Sequence, residues 1–174
     1  MIRLTFAALL LMLPSAALAQ NPLSDAIRDA WDGAKRNLTR SADAMPDAKF
    51  GFKPVDTVRT FGQIVAHVAG ANYIFCAAAR GEKAPYSEDH FEKTATTKPA
   101  IAKALADSIA YCDAAYKSLD DRRAAEMVAA PFGGGKSARA SALIGNTGHV
   151  QEHYGNLVTY LRINGIVPPS SSGQ

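Results

Sequence analysis

The chain has 174 residues, 48% hydrophobic and 20% charged, with 19 Lys plus Arg against 16 Asp plus Glu and a formal net charge of +3. The two signs are interspersed and no Lys/Arg run occurs, so charge gives no basis for binding nucleic acid or an anionic membrane. The length suits one domain with a sizeable core.

Residues 1–19 carry one early cation, Arg3, an apolar run from Leu4 to Leu13, and small residues at Ala17 and Ala19. That layout predicts a cleavable signal peptide ending at Ala19, and hence a periplasmic or secreted protein. A run of about ten apolar residues is too short for a bilayer that needs about 20, and no later segment reads as a span. The expected domain covers 20–169, and SSSGQ at the end reads as a disordered tail over 170–174.

Four helices are predicted, giving an all-α four-helix bundle. The first runs from about Pro22 to Ala44, with Asn21 or Ser24 as cap, Trp31 and Leu38 at helix spacing, and Met45-Pro46 as its end. The connection DAKFGFKPVDTVR carries Phe50, Phe52 and Pro54 and reads as an ordered loop lying against the helices. Thr60-Phe61-Gly62-Gln63 is a T-x-x-Q capping box that opens the second helix, which continues to Ala79 and stops near Gly81. A polar connection to Thr97 follows, in which His90 is expected to be solvated.

The third helix is expected from about Lys98 to Leu119, with Pro99 in the first turn, where its missing N–H costs little. Ile101, Leu105, Ile109, Cys112 and Tyr116 recur every three or four residues and read as core. PFGGGKSAR then reads as a flexible turn: its GGGKS lacks the leading glycine and the preceding strand of a phosphate-binding loop, since Ala130 stands where the glycine belongs. The fourth helix is expected from about Arg139 to Asn164, closed by Gly165. Cys76 and Cys112 leave pairing and simple burial both open, and no CxxC motif is present.

His149, Glu152 and His153 spell H-x-x-E-H, the signature of one zinc-protease class. No Asp, Glu, His or Cys follows His153 in this sequence, so a third ligand has to come from upstream, which counts against a protease of that class. Residues four apart sit about 40° from each other on a helix, so His149 and His153 share a face, which runs on into Val150, Leu157 and Leu161. His67 lies on the apolar stripe of the second helix, where a buried imidazole needs a partner. Three inward histidines on two helices can satisfy one another through one metal ion; the alternative is a core His67 bonded to a carbonyl and a pair that merely lines its helix. Glu152 points away from the apolar arc.

FKPVDTVRTFGQIVAHVAGANYIF around His67, NTGHVQEHYGNLVTYLR and the terminal YLRINGIVPPS together resemble the DinB/YfiT-like superfamily of four-helix-bundle metal proteins. The resemblance implies a divalent ion, zinc, nickel, iron or manganese, held by His67, His149 and His153, with open positions for water or substrate. It implies a connectivity other than simple up-and-down, a tendency to dimerise, and relatives that include thiol-dependent S-transferases, a mycothiol-dependent maleylpyruvate isomerase and metal-dependent hydrolases. Many relatives have arginine directly after the second histidine of the pair, where this chain has Tyr154.

Two functions follow from this reading. One is an enzyme acting on a small molecule, such as a thiol, with Gln63, Asn146 or Tyr160 orienting the substrate or a ligand imidazole. The other is a non-catalytic metal-binding module, in which the ion stabilises the fold and its site is sealed from solvent.

Overall fold

The computed structural model describes residues 21–172, so the predicted leader lies outside the described residues. Six helices carry the fold: α1 Pro22–Ala44, α2 Phe61–Arg80, α3 His90–Thr94, α4 Lys98–Lys117, α5 Asp121–Ala124 and α6 Arg139–Ile163. Two short strands, β1 Met127–Ala129 and β2 Lys136–Ala138, pair antiparallel, with Val128 opposite Ser137. The four long helices match the expected ones, and α3, α5 and the hairpin are additions.

The long helices pack with α2 against α4 and α6, and with α1 against the same two. The cyclic order is therefore α1, α4, α2, α6, with α1 and α2 on a diagonal. The loop after α1 makes this crossing, and Phe50 is buried in the core while Phe52 meets Tyr160 edge-on. Its backbone is fixed by Phe61 N–H donating to the Phe52 carbonyl and Gly62 N–H to that of Phe50.

Local chemistry sets the helix ends. The α2 capping box forms as expected, Thr60 accepting from Gln63 N–H and the Gln63 side chain accepting from Thr60 N–H. At the start of α1 neither Asn21 nor Ser24 caps its own helix. Asp121 does so from α5, accepting from the N–H groups of Leu23 and Ser24 and from the Ser24 hydroxyl. These bonds hold its carboxyl below the usual carboxylate range. A remote carboxylate can satisfy helix-terminal donors as well as a local one.

The core holds Trp31 of α1 stacked on Tyr116 of α4, their centroids 4.7 Å apart. Ile109, expected in the α4 core stripe, is only partly buried; Ser108 takes the inward place and accepts a hydrogen bond from the Asn72 carboxamide. Cys76 and Cys112 form a buried disulfide joining α2 to α4. Contrary to the sequence reading, α2 is long and apolar enough to cross a membrane, but 78% of its most apolar window is buried inside the protein, as in a central core helix.

Residues 170–172, expected in a loose tail, lie in and just beyond a 3₁₀ turn, Pro169–Ser171. Tyr154 OH both donates to Ser170 Oγ and accepts from Ser170 N–H. Tyr154 thus fastens the segment around Ser170 to α6.

Candidate metal centre

α2 and α6 face each other across the site, and each histidine points inward because its helix buries that face. His67 is buried, and His149 and His153 are half-buried. The His149 Nε2 atom lies 3.2 Å from His67 Nε2 and 3.1 Å from His153 Nε2. The three ligand atoms all lie within 4.8 Å of one another, so they can hold one metal ion. Bonds of about 2.0–2.1 Å to one ion place ligand nitrogens roughly 3.3 Å apart in a tetrahedron and roughly 2.9 Å apart in an octahedron. The two short separations fall between these values.

Hydrogen-bond accounting favours a cation in their midst. His67 Nδ1 donates to Glu92 Oε1 at 3.0 Å, and in a neutral imidazole this leaves Nε2 as a bare lone pair facing His149. A single hydrogen on His149 Nε2 can serve only one of its two nitrogen neighbours. Its other nitrogen, Nδ1, is buried without a hydrogen-bond partner among the described residues. A divalent ion takes a lone pair from all three Nε2 atoms at once.

The electrostatics keep the rings in their ligand form. Burial, followed by the neighbouring His153 and His67, pushes His149 down to about 3. Burial and then His67 also lower His153. Both rings are therefore neutral at pH 7, as metal ligation requires.

Around the triad lies a network that the sequence did not reveal. Glu92, on α3, accepts from His67 through one oxygen and from Arg59 Nε through the other at 2.9 Å. Tyr160 OH donates to the Arg59 carbonyl at 2.8 Å. The chain Tyr160–Arg59–Glu92–His67 thus fixes the His67 tautomer and ring plane, a carboxylate–histidine arrangement typical of metal sites. On the other side, the Asn156 carboxamide lies 3.4 Å from His153 Nδ1.

The residues proposed to orient the site divide three ways. Tyr160 acts through the Arg59 backbone. Gln63 is committed to the helix cap but also lines the cavity beside His153. Asn146 has no hydrogen bond to a histidine among the described residues: it is buried and donates to Tyr116 OH, between α4 and α6. Glu152 is exposed, as expected. His90 is not simply solvated, since it stacks on Tyr86 with centroids 4.6 Å apart.

Besides Glu152, which the sequence offered, the structure brings a second carboxylate, Glu92, directly against the triad. Its connection looked like a polar linker because helix α3 is too short to show a period. Gly70 was the available signal: a glycine inside an alanine-rich helix marks a close backbone approach. A Cβ at Gly70 would overlap the Glu88 carbonyl, so this glycine lets the 81–89 loop lie directly on α2.

The site is open on one side. A cavity of 770 Å³ reaches His153 and is walled by Arg59, Gln63, Asn156, Thr159 and Tyr160. Its size is in the range of small-molecule sites.

The sequence pattern of the DinB superfamily matches residues 30–157. The chain belongs to the DinB superfamily. A search of curated proteins by sequence gives no match. Among solved structures, this DinB-superfamily chain is similar to a DinB-like protein from Bacillus cereus, with TM-score 0.65 and 15% identity over 83% of this chain and 95% of that one. A DinB-like protein from Bacillus subtilis matches at TM-score 0.60 and 20% identity, over 80% of this chain and 92% of that one. A mycothiol-dependent maleylpyruvate isomerase matches at TM-score 0.63 and 18% identity, over 77% of this chain. The match spans 60% of the isomerase's length. These identities speak for the fold alone.

Proposed function

We propose that this DinB-superfamily protein holds one divalent ion through His67, His149 and His153 and is an exported enzyme acting on a small molecule, a thiol in the first instance. The observation that carries this reading is the cavity that reaches His153: an ion serving only to stabilise the fold needs no open side. The thiol rests on the likeness to a mycothiol-dependent isomerase. Export rests on the leader-like residues 1–19 and on the buried disulfide, a bond that persists in oxidising compartments.

When bound, a divalent ion supplies positive charge that makes a thiol or water more acidic. The protein's own groups do the rest. Glu92 holds the proton on His67 Nδ1, so that Nε2 keeps its lone pair turned to the site. Arg59 lines the cavity and its half-exposed guanidinium is paired with Glu92 through Nε, so its positive charge favours a substrate carrying an anionic group. Asn156, Thr159 and Gln63 add neutral hydrogen-bonding groups along the same wall. Nickel, iron and manganese suit three imidazoles as zinc does, and availability decides among them.

The test is to load the mature protein with zinc and follow loss of a free thiol against an alkylating chromogenic acceptor. Transfer forms a sulfur–carbon bond and releases the thiol proton with the acceptor's leaving group. Zinc-dependent thiol consumption that is lost in His149→Ala/His153→Ala supports the reading. Zinc-dependent ester hydrolysis without thiol consumption replaces transfer with hydrolysis. Bound zinc with neither activity supports the non-catalytic module.

A further inference from the structure

A further carboxylate approaches the triad. Glu88, in the loop between α2 and α3, places Oε1 3.6 Å from His67 Nε2, the nitrogen turned toward the other two rings. Two ligand atoms bound to one ion at about 2.1 Å each stand roughly 2.9 to 4.2 Å apart, depending on the angle between them. The Glu88 oxygen satisfies that spacing toward His67. It lies outside the set of atoms that all converge within 4.8 Å, so its side chain has to turn toward His149 and His153 to join them. Little holds the side chain back: it is 39% exposed, and its one ionic contact among the described residues is His67.

The backbone beneath it is held in place. The Glu88 carbonyl lies where a Cβ on Gly70 would be, and Gly70 is one turn beyond His67 on the same helix face. A larger residue at position 70 would lift the loop and draw Glu88 away. Glu92, which follows in α3, is already occupied by His67 Nδ1 and Arg59, so Glu88 is the carboxylate left free to face the ion.

We propose that Glu88 is a fourth, oxygen-donating ligand of the ion held by His67, His149 and His153. The proposal rests on the three-histidine reading of the site. A carboxylate in the set lowers the net charge of the centre and shifts its preference toward ions that accept mixed nitrogen and oxygen donors.

The experiment loads the metal-free mature protein with cobalt(II) and reads its visible absorption band and affinity. Glu88→Gln keeps the size of the side chain, and its thermal melting without metal should equal that of the wild type. It should weaken cobalt binding about tenfold or more and move the visible band, because a carboxylate ligand is lost. Glu92→Leu provides the contrast: losing the hydrogen-bond acceptor of His67 Nδ1 should weaken binding about 10- to 100-fold and leave the band in place. An unchanged band and affinity in Glu88→Gln, with the wild type loaded, overturns the proposal and leaves the histidine site standing. A wild type that takes up no cobalt overturns the histidine site, and the proposal falls with it.

Discussion

Helix α2 is joined to its neighbours in two contrasting ways. Toward its C-terminal end, Cys76 is bonded to Cys112 of α4, with both residues fully buried. Toward its N-terminal end, His67 meets His149 and His153 of α6, and the nitrogens that meet there have no common hydrogen-bonding solution. The first link is complete within the chain and closed to solvent. The second has room for a metal ion and opens onto a 770 Å³ cavity. A cross-link that is complete within the chain contributes stability, whereas one left open on one side can also present chemistry.

Removing the closed link should have the larger effect on stability. For a sequence separation of 36, loop entropy in the unfolded chain sets the disulfide's contribution at about 4 kcal/mol. Cys76→Ala/Cys112→Ala should therefore lower the urea midpoint strongly while the protein still takes up metal. Loss of metal binding along with stability would show that the two ends of α2 are not separable.

The open link should show itself through pH, with a smaller effect. In the unfolded chain His149 takes up a proton as pH falls through 6.5, but in the folded protein only near 3. The unfolded state therefore binds more protons across that interval, and the metal-free protein loses stability as pH falls from about 6.5, levelling off below the folded value. His153 acts in the same direction. Between pH 7 and 5, above the range of most carboxylates, the fall in urea midpoint should be steeper for the wild type than for His149→Leu. Equal slopes would mean that His149 is not held neutral by its surroundings.

Much of this contrast can be read in the amino-acid sequence, though unevenly. The four long helices follow from apolar periodicity and local caps, and the α2 capping box sits where Thr60 and Gln63 place it. The three histidines were legible because i, i+4 spacing fixes one face and His67 interrupts an apolar stripe. Glu92 and Glu88 were not, because their position depends on a loop folding back onto Gly70, which is a tertiary event with no local period. Asp121 was hidden for the same reason, since it caps a helix roughly a hundred residues earlier in the chain. The disulfide could not be assigned from spacing alone, because two cysteines on different helices pair only if the packing places them together. In the structure their Cα atoms are 5.2 Å apart.

The measurement that tests the central claim most directly is elemental analysis of the mature protein, purified without chelator or affinity metal, beside His67→Ala and His149→Ala/His153→Ala. The account predicts about one divalent ion per chain in the wild type and none in either variant. A wild type without metal even after reconstitution, or variants that keep theirs, would contradict it.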